Sequence, residues 1–251
     1  MEPKLPATQR IGRFLFRARS LTPVPIVALI LSILYAHRSS VRSMNPAVDH
    51  LLDLAGFCFA LSGQAMRAWV LGQAPPQTSG QGNELEAATL NTRGPYARVR
   101  NPLYLGNFLI VVALLLIAGD PWVGLIGVTF FAMQYAFIVA TEEAFLRQRF
   151  GAAFDAYAAE VPRWWPRLIP ASREPLAAKF DARRALFKEH NPLTAWLSGA
   201  LALIAWKASV RRGAEAVREI AALIGIEVIV LVAFVLTKAW KHGRFDRRTR
   251  Q

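Results

Sequence analysis

A chain of 251 residues that is 54% apolar yet carries a formal charge of +13 owes its basicity to nucleic acid or to a membrane. The apolar runs decide for the membrane: 21–36, 51–71, 103–118, 122–140, 193–210 and 220–240 approach the roughly 20 residues that a spanning helix needs. No aromatic-interleaved basic face accompanies them, which argues against nucleic acid, and the single Cys58 excludes a disulfide framework or a cysteine zinc site within one chain.

The expected fold is therefore all-α, a polytopic membrane bundle of about five to six spanning helices. With the amino terminus in the cytoplasm, segments 1–20, 73–102, 141–192 and 238–251 hold 23 of the 30 basic residues, as the positive-inside rule requires. Arginine outnumbers lysine and alanine is abundant, a composition common in GC-rich bacteria, so the expected location is a bacterial inner membrane.

Residues 1–20, with IGRFLFRARS at their end, read as a basic, amphipathic lead that holds the amino terminus at an anionic leaflet. The run 21–36 is short and opens on Pro23 and Pro25, so it is the weakest span and is expected to lie partly in the interface. The run 51–71 contains Arg67 and Trp69 in GQAMRAWVLG. A guanidinium there must snorkel, pair, or line a cavity. Residues 73–91 are rich in Pro, Gly, Gln and Asn and predict a loop long enough to fold over something.

The stretch TRGPYARVRNPLYLGN, 92–107, places unusual polar chemistry at the edge of an apolar helix. Gly94 and Pro95 predict a turn before Tyr96, and Asn101–Pro102 predicts a helix start, with asparagine capping an early amide and proline at the first helical position. Arg93, Arg98 and Arg100 read equally as headgroup anchors or as part of a site. AGDPW, 118–122, predicts a tight helical hairpin with Gly119 ending one helix and Asp120 capping the next. At 1.5 Å per residue, Tyr104 lies about 22 Å and Glu142 about 32 Å from that turn, which returns the Glu142–Glu143 pair to the GPYARVR loop. One glutamate is expected to face a site and the other Arg147 or solvent.

From 141 onward, Phe145, Leu146, Phe150, Phe154 and Tyr157 predict an amphipathic helix on the membrane surface, stopped by Pro162. PRWWP, 162–166, is an interfacial aromatic anchor or the rim of a pocket. The last two runs carry Lys207 and Glu227 as conspicuous internal polar groups.

GPYARVRNPLYLGN, then EEAFL, then FGAAFDAYAAEVPRWWP, are similar in order and spacing to the isoprenylcysteine carboxyl methyltransferase and phospholipid methyltransferase superfamily of membrane enzymes. The resemblance covers roughly residues 51–170. It implies S-adenosylmethionine-dependent methyl transfer to a lipophilic, isoprenoid or lipid-like acceptor at the cytoplasmic face. Carried onto this chain, it implies cofactor contacts at Gly94, Pro95, Tyr96, Arg100, Asn101, Pro102, Tyr104, Gly106, Glu142 and Glu143. It places an acceptor entering from the bilayer near Arg67, Trp69, Tyr157, Arg163 and Trp164, with Glu142, Glu143 and Arg163 as candidate catalytic residues and no metal.

Asn101 stands where the family pattern most often has histidine, and an amide takes no proton near neutral pH. Membrane sterol reductases that use NADPH resemble the same region but carry many more spans before the motif, and a non-catalytic scaffold or carrier is a further alternative. The expected organisation is a lead over 1–20, a methyltransferase-like core over 21–170 and an extension with two spans and a basic tail over 171–251.

Overall fold

The computed structural model describes residues 6–19, 21–73, 87–172 and 179–248, with side chains to residue 243. Most of the loop at 73–91, and with it any fold it makes over a site, lies outside the described residues. The described chain is helical: α1 (Ala7–Arg17), α2 (Pro23–Ala36), α3 (Arg38–Ser43), α4 (Pro46–Gln73), α5 (Pro102–Ala118), α6 (Pro121–Phe150), α7 (Ala152–Glu160), α8 (Ala182–Arg212) and α9 (Val217–Arg248). No strand occurs among the described residues.

By length and composition, α4, α6 and the α8–α9 run from Ala182 to Gly243 contain stretches apolar enough to cross a membrane, while α2 and α5 are shorter apolar helices. Apolar side chains of α9 such as Ile224, Val228, Val232 and Val235 point away from the bundle, where water would be costly and lipid is not.

The α5–α6 hairpin forms as its sequence predicts. Gly119 takes the left-handed conformation at φ 70°, and the Asp120 side chain accepts bonds from the amides of Trp122 and Val123, both at 2.9 Å. α5 packs most extensively on α4. Their backbones meet where neither helix has a side chain: a Cβ on Gly106 would stand 2.9 Å from the carbonyl oxygen of Gly63 and 2.6 Å from Cγ of Arg67. Small residues at a crossing of this kind bring membrane helices into close van der Waals contact.

Three expectations are corrected. The helix after Glu143 does not run on to Pro162: α6 ends at Phe150, Gly151 turns the chain at φ 53°, and α7 follows. The amino-terminal lead is not merely a surface tether, because α1 packs along α6 and buries Phe16. The penultimate helix begins at Ala182 and passes through Pro192, about three turns earlier than its apolar run suggests. A membrane-embedded proline is tolerated where neighbouring helices satisfy the freed carbonyl, and the extra turns carry Glu189 and His190 into the bundle.

α8 runs antiparallel to α4 and is fastened to it by charge. Lys207, 2% exposed, donates to Asp49 at 2.8 Å and to Asp53 at 2.5 Å, while Arg211 pairs with Asp49 at 2.7 Å and donates to the Val41 carbonyl at 3.0 Å. Each ion in this cluster has an opposite charge within bonding distance, which offsets the several kcal/mol of desolvation that a buried ion costs. Lys207→Met, which leaves two carboxylates with Arg211 alone, is expected to lower unfolding stability in detergent by about 3 kcal/mol. Asp53→Asn on that background should recover part of the loss in the same unfolding measurement.

Candidate functional site

The polar stretch at 92–107 folds into the turn and helix start that its residues predict. Gly94 adopts φ 60° and opens a single 3-10 turn over Gly94–Ala97, while Asn101 precedes Pro102 at the first position of α5. Asn101 does not cap α5 with its side chain, however. Its Nδ2 donates to the carbonyl of Arg163 at 3.2 Å, so it holds a neighbouring segment rather than its own helix.

That neighbouring segment, VPRWWPRLIPA at 161–171, is laid along the loop by backbone bonds. The amide of Arg100 donates to Pro162 O (2.9 Å), that of Arg167 to Arg98 O (2.9 Å) and that of Ala171 to Ala97 O (2.8 Å). The Tyr157 hydroxyl from α7 donates to Tyr96 O at 2.9 Å. Burial holds the Tyr96 and Tyr157 phenols above their ordinary pKa, in Tyr96 with the charge of Glu142 adding to it. Both stay protonated at neutral pH, and Tyr157 serves as the donor of the bond between them. The backbone of PRWWP is therefore part of the loop structure, whereas its Trp165 side chain is 80% exposed.

The two glutamates at the end of α6 are set to different tasks. Glu143, 5% exposed, accepts from Arg100 Nη1 at 2.9 Å and from Arg163 Nε at 3.0 Å, and also pairs with Arg163 Nη2. This carboxylate is spent on two guanidiniums and ties α6 to both the loop and the 161–171 segment. Arg147, a sequence-level candidate partner for one of the glutamates, pairs instead with Asp155 at 2.7 Å. Glu142 accepts from the Tyr104 hydroxyl at 2.7 Å. Arg100 Nε is buried without an acceptor, although its Nη1 is engaged, and a buried orphan donor asks for a partner.

Behind Tyr104 the polar chain continues into the bundle. Tyr104 meets Tyr135 edge-on at 4.7 Å between ring centres, and the Tyr135 hydroxyl accepts from Asn107 Nδ2 at 3.1 Å. Asn107 Oδ1 accepts from Arg67 Nη1. Arg67 then grips Glu189 of α8 with Nε and Nη2, each at 2.8 Å, in the two-pronged geometry that suits guanidinium and carboxylate. Gln64 also donates to Glu189 at 2.7 Å and accepts from the Trp196 indole at 3.0 Å. Of the readings open to Arg67, it both pairs and lines a cavity.

That cavity, about 790 Å³, lies between α2, α5, α6 and α8. Its polar lining is Arg19, Arg67, Asn107, Gln134 and Tyr135; the remainder is apolar.

The residues singled out from sequence thus fall into three groups. Gly94, Pro95, Tyr96, Arg100, Asn101, Pro102, Glu143, Tyr157 and Arg163 converge on the tethered loop. Tyr104, Gly106, Glu142 and Arg67 lie on or beside the chain of polar contacts leading inward from it. Trp69 is half-buried and Trp164 exposed, and neither lines the cavity.

Sequence reasoning missed Asn107, Gln134 and Tyr135, whose signal was polarity on the inner face of an apolar hairpin. It also missed Arg19, Gln64 and Glu189. The last had no local signal, since it lies 122 positions from its partner.

Residues 54–153 match the family model described as phospholipid methyltransferase. Among curated proteins, the chain is 34% identical over 83 residues to the nickel-cobalt-cadmium resistance protein NccN of Alcaligenes xylosoxydans xylosoxydans, an alignment covering 33% of this chain and 38% of that protein. It is 28% identical over 171 residues to the cobalt-zinc-cadmium resistance protein CzcN of Cupriavidus metallidurans, covering 67% of this chain and 74% of that one. The chain thus spans well under half of the first relative and about three quarters of the second. No solved structure matches it. The matched segment contains most of α4, the loop, α5 and α6; α2, α8 and the 161–171 segment lie outside it.

Removing the charge of Glu143 should release the loop without unfolding the bundle. Glu143→Gln is expected to cost about 2 kcal/mol, below the figure for a wholly buried pair because Arg163 is partly in solvent. It should speed hydrogen exchange at 97–101 and 161–171. Glu142→Gln should leave that exchange unchanged.

Proposed function

We propose that this chain, whose segment 54–153 matches the phospholipid methyltransferase family model, transfers a methyl group from S-adenosylmethionine to a lipophilic acceptor, at the cytoplasmic face of a bacterial inner membrane. The observation that carries the reading is that the loop of Gly94–Ala97 is served by two complementary groups: Glu142, held by Tyr104 and near enough to Tyr96 for its charge to act on that phenol, and the buried Nε donor of Arg100, which has no acceptor. A zwitterionic, cationic cofactor presents groups for both: a carboxylate for the arginine, and positive charge for the glutamate. These side chains, with the loop backbone at Gly94, Pro95 and Tyr96, would hold the cofactor, which supplies a methyl group activated on a sulfonium.

The protein's own part is alignment and exclusion of water. Tyr104 fixes Glu142, Glu143 fixes the arginines and the overlying 161–171 segment, and the Tyr157 bond to the loop closes the outer side. Holding two reactants in register in a dry site is worth several kcal/mol of barrier without any proton transfer.

An anionic oxygen or sulfur acceptor needs no base here. An amine acceptor must shed a proton, and Glu142 is the carboxylate placed to take it, because Glu143 is committed to two guanidiniums. Asn101 serves as a tether and has no proton-accepting role.

The two relatives are named for resistance to heavy-metal ions. Among the described residues no group of three or more His, Cys, Asp or Glu side chains stands together to hold such an ion.

Calorimetry of the detergent-purified protein with S-adenosylmethionine, S-adenosylhomocysteine and NADPH tests the assignment. Both methyl-donor compounds should bind and NADPH should not. Glu142→Gln should weaken the sulfonium compound by roughly tenfold or more, the scale of one charge-assisted contact, and should affect the uncharged thioether of S-adenosylhomocysteine less. Binding of NADPH alone would overturn the proposal in favour of a reductase.

A further inference from the structure

The cavity is built to a different plan from the tethered loop. Its far end is closed where Leu34, Ala118 and Val123 pack with Leu203 and Trp206. Its polar groups gather at the other end, where Arg67, Asn107 and Tyr135 stand next to Tyr104 and Glu142. Between these ends the walls are apolar, over a length of about 20 Å judged by the rise of α8 from Pro192 to Trp206.

Its volume, about 790 Å³, falls within the roughly 300–1,000 Å³ of ligand pockets. A long apolar space, with one polar end that abuts the candidate site, accommodates a molecule with one chain and one head. The head it favours is a polar, hydrogen-bonding one, because the polar side chains of the lining, Arg67, Asn107 and Tyr135 among them, stand at that end.

One wall is supplied by α8, which lies outside the family-matched segment. Ala195, Gly199, Ala202 and Trp206 recur at spacings of four, three and four, so they form one face of the helix, and all four line the cavity. Gly199 is not there to let helices touch: a Cβ at this position would come no closer than 3.7 Å to any atom, the nearest being Leu114 Cδ2. Gly63 and Gly106, by contrast, have no such room. The space above Gly199 belongs to the cavity.

We infer that the carboxyl-terminal extension makes this cavity into a measured tunnel for a single-chain amphiphile, with Gly199 and Ala202 setting how much of the chain fits. This rests on the methyl-transfer reading for its functional meaning, since the head would lie beside the Tyr104–Glu142 pair, but its test does not depend on that reading. Residues on α8 act here on acceptor length and leave cofactor binding alone.

The probes are brominated derivatives of octanoic, lauric and palmitic acid, added to the detergent-purified full chain. Bound bromine quenches the indoles of Trp196 and Trp206, which line the cavity, and Trp206→Phe identifies the share of the signal that arises there. The palmitic derivative should bind at least about tenfold more tightly than the octanoic one, as the burial of further methylenes requires.

In Gly199→Phe that advantage should shrink to about twofold or less while octanoic binding persists, and S-adenosylhomocysteine affinity should be unchanged. Ala202→Phe, which enters the same space from the next turn, should act alike and guards against misfolding of either variant. An unaltered length preference in folded Gly199→Phe and Ala202→Phe overturns the tunnel, whatever the cofactor result. Failure of the cofactor to bind while length selection is lost in both variants overturns the methyl-transfer reading and leaves the tunnel standing.

Discussion

A guanidinium among hydrocarbon demands a carboxylate, and the bidentate grip of Arg67 on Glu189 is the contact through which the two halves of this chain become one structure. Arg67 lies in the family-matched segment and Glu189 outside it. Breaking either leaves the other charge buried and unpaired, which costs more than the pair itself contributes. The second fastening repeats the logic at the opposite end of the same two helices, with Lys207 on Asp49 and Asp53. Arg67 lies 18 residues after Asp49, and Lys207 lies 18 residues after Glu189. Eighteen residues are five full turns, about 27 Å, so in antiparallel helices both pairs fall on one facing seam. Charge thus fixes register as well as contact, a use for buried ion pairs that apolar packing alone serves poorly.

The same economy explains why adjacent glutamates behave differently. Successive positions on a helix point about 100° apart, so Glu143 turns toward the loop and meets Arg100 and Arg163, while Glu142 turns toward Tyr104. One charge assembles the wall; the other stays within the interior that the wall encloses. The loop residues follow the first. Asn101 and the backbone of 97–100 are bonded to 162–171, and Glu143 holds the Arg100 guanidinium against that rim.

The legible part of this architecture was the part that local sequence determines. Apolar runs marked the helices, Gly119, Asp120 and Pro121 fixed the hairpin, and counting residues from that turn brought Glu142 back to the loop. The bundle and the meeting of 92–107 with the glutamates therefore stood out before any coordinates. What lay hidden was pairing at long range. Nothing near Glu189 distinguishes it from a surface glutamate, and the apolar run that begins at 193 concealed about three further turns of α8 leading through Pro192. Asn101 misled for a physical reason: an asparagine before a proline is a good helix cap, yet the competing carbonyl of Arg163 claimed its amide. Gly151 likewise stopped an amphipathic pattern whose period continues undisturbed across the break, because periodicity reports which face is apolar and is silent on a single residue with positive φ.

The α4–α8 seam also settles why one arginine can serve both structure and cavity. With two nitrogens committed to Glu189 and one to Asn107, Arg67 has little freedom to swing toward lipid, and its charge is largely balanced before any ligand arrives. Asn107 passes that constraint to Tyr135, whose ring is stacked on Phe131 at 4.1 Å between centres and abuts Tyr104. Each member is oriented by the previous one, from α8 through α4 and α5 to the carboxylate of Glu142. A position fixed in this way costs no reorganisation when a ligand binds, which is the condition under which electrostatic contacts act most strongly on chemistry. The extension is thus joined to the candidate site by a continuous series of hydrogen bonds and ring contacts, and a substitution at Glu189 acts on Tyr104 through every one of them.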